Sequence, residues 1–173
     1  NASVASGTSV AEYASSHDSA WIAFTKGLGC PVGAVLAGSR DFIREAWHFK
    51  RMFGGAMRQT GVLTAMCLYA LDHHVERLAE DHSRARRIER ALRGCSLFCR
   101  VLPVDTNIVL AEISSTTKIS ATELRDFLAS KNIKVMAVGT NRIRMITHLD
   151  VDDVAVSRLI EGIEAAETVL LGR

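Results

Sequence analysis

Apolar residues follow two different spacings along this chain, and the change falls close to Gly94. From residue 74 to 93 they recur every three or four positions, which predicts a long amphipathic helix that ends at Gly94. From residue 59 to 71 they occupy nearly every side of a predicted helix, so we expect that helix to be buried within the protein or between subunits. After Gly94 the apolar runs become short and alternate with polar residues, as is typical of strands.

The part after Gly94 predicts the order β-β-α-β-β-α. Ser120-Ala121-Thr122-Glu123 has the form of a capping box, and Asp150 or Asp152 can cap a second helix. The predicted strands span 97–102, 108–113, 133–138 and 142–147, and the predicted helices span 121–130 and 150–171. One sheet with two helices accounts for this order. We place a domain boundary inside or just after the long helix, which gives domains 1–92 and 93–173.

The first part is centred on a strand–loop–strand unit. Two short apolar runs, 19–24 and 33–38, predict strands, and the loop between them contains Lys26 with Gly27 and Gly29. Capping residues predict flanking helices at 9–16 and 39–53.

The charge balance argues against several kinds of partner. With 21 basic and 19 acidic side chains and a net charge of +2, the chain offers little attraction for nucleic acid or for an anionic membrane. The arginines between residues 84 and 93 are interleaved with acidic residues, a pattern typical of a solvated helix face. No apolar run is long enough to span a membrane. We therefore expect a partner that is neither nucleic acid nor membrane.

The four cysteines show no spacing typical of a disulfide framework or a metal site. They are Cys30, Cys67, Cys95 and Cys99. We expect reduced thiols in a cytoplasmic protein, and no metal.

Lys26 is the residue whose surroundings most suggest chemistry. A lysine that is partly buried loses hydration, so its amine is less often protonated and can attack a carbonyl carbon. The glycines around Lys26 permit left-handed turns and the close approach of a planar ligand. The spacing alone is equally typical of a surface lysine on a glycine-rich turn, so both interpretations stay open at this point.

The residues around Lys26 add a resemblance to a known family. The run FTKGLGCPVGAVLAG, residues 24–38, resembles the lysine segment of the low-specificity L-threonine aldolases. The similarity continues, in one order, through 50–59, 68–71, 77–82, 106–109 and 143–150. These aldolases belong to the aromatic amino acid β-eliminating lyase/threonine aldolase family, whose members are pyridoxal 5'-phosphate (PLP) enzymes of fold type I, like aspartate aminotransferase.

The resemblance implies a fold, a cofactor and a reaction. The fold would be α/β, with residues 1–92 as the end of the PLP-binding large domain and residues 93–173 as a small α/β domain. Lys26 would bind PLP covalently. The enzyme would be a lyase that cleaves threonine or allo-threonine into glycine and an aldehyde, in threonine catabolism and glycine biosynthesis. It would be a homo-oligomer, either a dimer or a tetramer.

Arg144 matches the family's carboxylate-binding segment. The alternating run 142–146 predicts a strand with Arg142 and Arg144 on one face, which alone is also typical of two exposed arginines. The resemblance implies that Arg144 clamps the carboxylate of the amino-acid substrate, because a guanidinium can form two parallel hydrogen bonds to it. Arg58, and less strongly Lys50, lie in a segment that resembles a loop near the active site. Either could face the cofactor phosphate or a subunit interface.

The histidines do not supply a clear base. His82 lies on an apolar stripe and is expected in the core, while His73 and His74 are expected as caps or surface groups. His17 and His48 have no predicted partner.

Several groups that the family uses are missing. The histidine that stacks on the cofactor, the acid that pairs with its pyridine nitrogen and the glycine-rich phosphate site come from an N-terminal half without a counterpart here. We therefore expect a C-terminal piece of a longer polypeptide, inactive by itself. The alternatives are a β-eliminating lyase or transferase on the same fold, and a non-catalytic paralogue or oligomerisation module.

Overall fold

The chain divides between Leu78 and Ala79 into two units, the first built on a β-hairpin and the second on a four-stranded sheet. The structure is a computed structural model and describes residues 1–172. The elements up to the division are α1 (Ala2–Ser6), α2 (Val10–Ala14), β1 (Ser19–Ala23), β2 (Ala34–Gly38), α3 (Arg40–Met52) and α4 (Gly61–His73). They are followed by α5 (Leu78–Arg93), β3 (Phe98–Val101), β4 (Ile108–Ile113), α6 (Ala121–Ser130), β5 (Met136–Val138), β6 (Arg142–Ile146) and α7 (Asp153–Leu171).

The second unit is an antiparallel sheet whose core lies on one face. The strand order is β3-β4-β6-β5. Alternate residues of β4 and β6, such as Val109 and Ile143, are buried at 0% and 1% exposure and pack with apolar residues of α5, α6 and α7. The intervening residues lie on the opposite face of the sheet. The predicted β-β-α-β-β-α order is confirmed, and the sheet is fully antiparallel.

Two capped helices cover the sheet as the sequence predicts. The Ser120 hydroxyl accepts a hydrogen bond from the Glu123 N–H at 3.1 Å, and the Glu123 carboxylate accepts from the Ser120 N–H at 2.8 Å. The Ser120 hydroxyl and N–H lower the pKa of Glu123 because they bind its charged form. The Asp152 carboxylate caps α7 by accepting from the Ala155 N–H at 2.7 Å. These caps satisfy amide donors that the first turn of each helix cannot pair internally.

The first unit holds the predicted strand–loop–strand unit. Strands β1 and β2 pair antiparallel, with Ser19 opposite Gly38 and Ala23 opposite Ala34. The Phe24 N–H donates to the Gly33 carbonyl at 3.0 Å and continues the pairing into the loop. Gly33 has φ +117°, a conformation that side chains of L-residues rarely adopt. The hairpin loop therefore needs a glycine at this position.

The described residues cover only one side of α4. The covered stripe consists of Leu63, Cys67 and Ala70, at the spacing that places residues on one side of a helix. Val62 and Tyr69 are 67% and 57% exposed. Burial of α4 within the whole protein or between subunits therefore stays a prediction.

One helix and one strand begin later than the sequence predicts. Helix α5 begins at Leu78 and not at His74, because the His74 N–H donates to the Ala70 carbonyl and ends α4. Strand β5 begins at Met136 and not at 133, because Asn132 takes a left-handed conformation and the Ile133 N–H closes the end of α6 on the Leu128 carbonyl.

Helix α5 packs with the second unit. Ala85, Ile88 and Leu92 are buried in the core of the sheet-bearing unit. The contact division at residues 78 and 79 therefore precedes the predicted domain boundary at 92 and 93. The assignment of 1–92 and 93–173 to the two domains of the family stays a prediction. Within residues 1–172, no helix combines the length and the apolar character needed to cross a membrane.

Leu124 tests the core of the second unit. It is fully buried on α6, so Leu124→Ala leaves a cavity and should lower the free energy of unfolding by about 2–5 kcal/mol. Val154→Ala is the control, since Val154 is 66% exposed on α7 and should change stability by less than about 0.5 kcal/mol. Urea unfolding of the two variants measures the difference, and equal losses would contradict the core assignment.

Gly33 tests the backbone of the hairpin loop. Gly33→Ala forces an alanine into a left-handed conformation and should cost roughly 1–3 kcal/mol of stability. Gly61 begins α4 at a negative φ with open space around its α-carbon, so Gly61→Ala should be neutral or should stabilise by up to about 1 kcal/mol. Urea midpoints compared at an unchanged slope decide between them. A tolerated Gly33→Ala would show that the loop relaxes easily.

Candidate active site

Lys26 lies in a turn whose backbone is fixed by hydrogen bonds. The Gly29 N–H donates to the Lys26 carbonyl at 2.9 Å, and the Cys30 N–H donates to the Phe24 carbonyl at 2.9 Å. Gly29 has φ +70°, which suits glycine at the end of a tight turn. A β-carbon on Gly27 would lie 2.9 Å from the Asn1 side-chain amide and 3.1 Å from the end of the Leu78 side chain, so a larger residue there would require these side chains to shift.

The turn is anchored to α4 by apolar contacts and by one histidine. Phe24, Leu28 and Cys30 are buried and form a cluster with Ala70 of α4. The His74 ring nitrogen Nδ1 donates to the Leu28 carbonyl at 2.7 Å. This bond joins residues 46 positions apart and satisfies a carbonyl that the turn does not pair itself. His74 thus supports the Lys26 turn, a role that sequence reasoning missed.

Lys26 itself projects outward from this fixed backbone. Its side chain is exposed, whereas partial burial was the condition expected for an activated amine. Among the described residues, Lys26 thus matches the surface lysine that the spacing left open, and no apolar side chain covers the amine. Within residues 1–172, the ammonium group of Lys26 makes no hydrogen bond or ion pair. Its amine is therefore accessible to a ligand.

The two arginines of β6 lie on the same face of the sheet but differ in their partners. Arg142 pairs with Glu112, directly opposite on β4, at 2.5 Å between Nη2 and Oε1. Arg144 lies between Leu110 on β4 and Met136 on β5, which are both apolar. Both arginines are half-buried.

Only one of the two arginines is paired with an acidic side chain among the described residues. The carboxylate of Glu112 compensates the guanidinium of Arg142. Among the described residues, no acidic side chain binds the guanidinium of Arg144. The sequence alone predicted that the two arginines share a face, and the structure adds that only Arg142 is paired with an acidic side chain among the described residues.

Arg58 and Lys50 are the other two candidate cofactor-binding residues that the sequence suggests. Arg58 is exposed in the segment between α3 and α4. The Lys50 ammonium lies 4.7 Å from the centroid of the Trp47 ring, a cation–π contact within α3. In the part of the chain that the structure describes, no bond joins either residue to Lys26.

His82 and His73 occupy the predicted kinds of position, whereas His17 has partners that the sequence did not predict. His82 is 2% exposed in α5, and its burial lowers its pKa because charging it there would lose hydration. The His73 ring stacks on Tyr69 with 4.0 Å between centroids. His17 contacts Ser16 and the Tyr13 carbonyl at the surface. The described residues contain no cluster of side chains that could hold a metal ion.

Known proteins are similar to this chain in sequence and in fold. The low-specificity L-threonine aldolase of Escherichia coli K12 is 38% identical over 151 residues, which cover 87% of this chain and 43% of that protein. Low-specificity L-threonine aldolase 1 of Arabidopsis thaliana is 34% identical over 149 residues, covering 86% of this chain and 42% of that protein. The chain spans less than half the length of the curated relatives that it matches.

A solved structure confirms the fold class. The serine palmitoyltransferase of Sphingomonas wittichii superposes with a TM-score of 0.70 at 17% identity, over 95% of this chain and 44% of that chain. The chain thus has the α/β fold of part of a fold type I enzyme, as predicted. Residues 1–116 match the family model described as β-eliminating lyase, a match that includes the whole Lys26 hairpin. Together with the identity to the threonine aldolases, this match shows that the chain belongs to the β-eliminating lyase family.

Proposed function

We propose that this chain is the lysine-bearing and carboxylate-binding part of a PLP-dependent aldolase that cleaves threonine-type β-hydroxy-α-amino acids into glycine and an aldehyde. One observation carries the proposal. Lys26 presents an accessible amine on a turn fixed by hydrogen bonds, inside a segment shared with low-specificity L-threonine aldolases. The whole protein would require the portion of the relatives that this chain does not span.

The residues around Lys26 fit a covalent tether for PLP. The amine is exposed, and no described acidic residue competes for it. Gly27 and Gly29 keep the backbone beside the amine free of side chains, so a planar ring can approach closely. When bound, PLP supplies an electron sink for the cleavage of a bond to the substrate's α-carbon. The amine of Lys26 would hold the cofactor at a fixed position, because the backbone of its turn is paired on both sides.

Arg144 would bind and orient the substrate carboxylate. Its planar guanidinium offers two parallel donors to a carboxylate, and its apolar neighbours Leu110 and Met136 reduce competition from water. A carboxylate held by two bonds cannot rotate freely, so the bond to be cleaved keeps one orientation. Arg142 is a poorer candidate because Glu112 already satisfies its charge.

Arg58 is proposed as a second cofactor contact, toward the phosphate group, and Lys50 as its weaker alternative. Arg58 supports this role by its exposed positive charge in a segment of the family match. A subunit contact is the competing role for both residues. The base that takes the proton of the substrate hydroxyl would come from the portion of the relatives that this chain does not span.

The proposed enzyme is a homo-oligomer, a dimer or a tetramer, in the cytoplasm. Support comes from large apolar side chains that the first unit leaves exposed, among them Trp47, Phe53, Met57 and Val62. An exposed apolar surface of this kind typically binds another protein surface. The four cysteines are free, which suits a reducing compartment.

A β-eliminating lyase is the second candidate function, since the matching family model carries that description. The two reactions differ in their products. An aldolase converts threonine into glycine and an aldehyde, whereas a β-eliminating lyase releases ammonia and a keto acid. Product analysis with the full-length protein separates the two.

Lys26 is tested by direct labelling. Borohydride reduction of the full-length protein with PLP, followed by peptide mapping, should place the pyridoxyl group on Lys26. Lys26→Ala should abolish both the label and the visible absorbance of bound PLP. Lys50→Ala is the control for a misplaced label and should keep the label on Lys26. A label on Lys50, or no label at all, would contradict the assignment.

Arg144 is tested against its neighbour on the same strand. Arg144→Lys keeps the charge but loses the planar pair of donors, so kcat/KM for threonine should fall by roughly two orders of magnitude, equivalent to about 2.7 kcal/mol. Absorbance of bound PLP should survive because Lys26 is unchanged. Arg142→Lys retains a positive charge beside Glu112 and should change kcat/KM by less than about fivefold.

The comparison of Arg142→Lys with Arg144→Lys decides which arginine binds the substrate carboxylate. Equal losses for Arg142→Lys and Arg144→Lys, or a larger loss at Arg142, would show that Arg144 is not the carboxylate-binding residue.

A further inference from the structure

Two cysteines meet where the Lys26 loop contacts α4. Cys30 belongs to the loop and is 7% exposed, and Cys67 on α4 is half-buried against the same apolar cluster. The Cys30 sulfur donates to the Met66 carbonyl at 3.6 Å, and the Cys67 sulfur donates to the Val32 carbonyl at 4.0 Å. Each thiol therefore reaches the backbone beside the other cysteine, and the two side chains lie between the loop and the helix.

The two thiols differ in their readiness to react. Burial raises the pKa of the Cys30 thiol, and the charge and hydrogen bond of Cys67 raise it further. Cys67 is the less buried of the two thiols, so an oxidant reaches its sulfur more easily. We therefore take Cys67 as the thiol that would meet the oxidant and Cys30 as the neighbour that would resolve the product.

Access for a small reagent exists at this position. A cleft of about 580 Å³ opens beside Cys30 and is lined by residues of the loop and of α4, including Pro31, Met66 and Tyr69. A small disulfide can thus approach Cys30 from this cleft, and the half-buried Cys67 exposes part of its own side chain.

The other two cysteines offer a contrast within the chain. Cys95 is buried in the second unit, and burial raises its pKa to about 11. Cys99 is exposed, and its sulfur donates to the Glu112 carbonyl at 3.5 Å. In the described residues, neither of these sulfurs contacts another thiol.

We propose that Cys30 and Cys67 form a reversible disulfide, a modification site at which low-molecular-weight disulfides of the glutathione type fasten the Lys26 loop to α4. The Cys67 thiolate attacks one sulfur of the oxidant and releases one thiolate, leaving a mixed disulfide. The Cys30 thiolate attacks the Cys67 sulfur and releases the second thiolate. The two cysteine protons end on the two released thiols, so the protein is oxidised and the oxidant is reduced by the same two electrons.

The disulfide would restrict the loop that carries Lys26. Cys30 closes that loop by donating to the Phe24 carbonyl, and a covalent bond from Cys30 to α4 would prevent the turn from opening away from the helix. The inference rests on the thiol geometry and is independent of the reaction proposed at Lys26.

The bond itself is tested on the full-length protein. Incubation with oxidised glutathione and digestion should yield one peptide pair joined through Cys30 and Cys67, and dithiothreitol should separate it. Cys99→Ser should form the same pair, while Cys30→Ser and Cys67→Ser should not. Should Cys30→Ser fail to fold, the half-buried Cys67→Ser still provides the negative control.

The effect on the loop is tested with trypsin on protein stripped of PLP, since trypsin cleaves after a free lysine. Cleavage between Lys26 and Gly27 should be about tenfold slower in the oxidised form, because proteolysis follows the population of the opened loop. Cys67→Ser should show the same rate under oxidising and reducing conditions.

Three outcomes would overturn the proposal. They are free thiols at Cys30 and Cys67 under oxidation that modifies Cys99, a glutathione adduct that stays on Cys67 without cross-linking, and a cleavage rate after Lys26 that is unchanged by the cross-link.

Discussion

The position of Lys26 depends on the hydrogen bonds that hold the backbone on either side of it. The pairing of β1 with β2 continues through the bond from Phe24 to Gly33, and the turn closes through the bond from Gly29 to Lys26. In the folded state the loop is held against α4, because Leu28 and Cys30 are buried and His74 binds the Leu28 carbonyl. The lysine side chain itself remains exposed. A side chain that binds a cofactor must both reach it and hold it in place. This requires a fixed backbone together with an exposed side chain.

In the second unit, the burial of one sheet face determines where the two arginines of β6 lie. Its sheet buries only one face, so every second residue of β6 is excluded from the core. That arrangement brings two arginines side by side on the open face, where like charges repel each other. Glu112 relieves this repulsion by pairing with Arg142, and Arg144 is left without a partner among the described residues. The charge pattern of the sheet thus singles out one guanidinium, although the sequence provides two.

Sequence reasoning succeeded where local signals were sufficient. The limits of β4, the capping box at Ser120 and the glycine-bearing hairpin all follow from residues close together in the chain, and all are confirmed. It left the burial of α4 open, since burial depends on what covers a helix and not only on the helix's own apolar content. The bond between His74 and Leu28 and the pairing of Glu112 with Arg142 join distant residues without a spacing pattern. The resemblance to the threonine aldolases supplied the candidate roles of Lys26 and Arg144, which composition and periodicity alone left open.

The register between β4 and β6 limits how the chain can change in length. Leu110 lies opposite Arg144, and Ala111 lies opposite Ile143. One residue inserted into β6 would turn every later side chain of the strand to the other face, which would bury a guanidinium in the core and expose Ile143 or Met145 to water. Insertions and deletions that the fold tolerates should therefore fall in the connections, such as the turn at 139–141, and leave the strands at constant length.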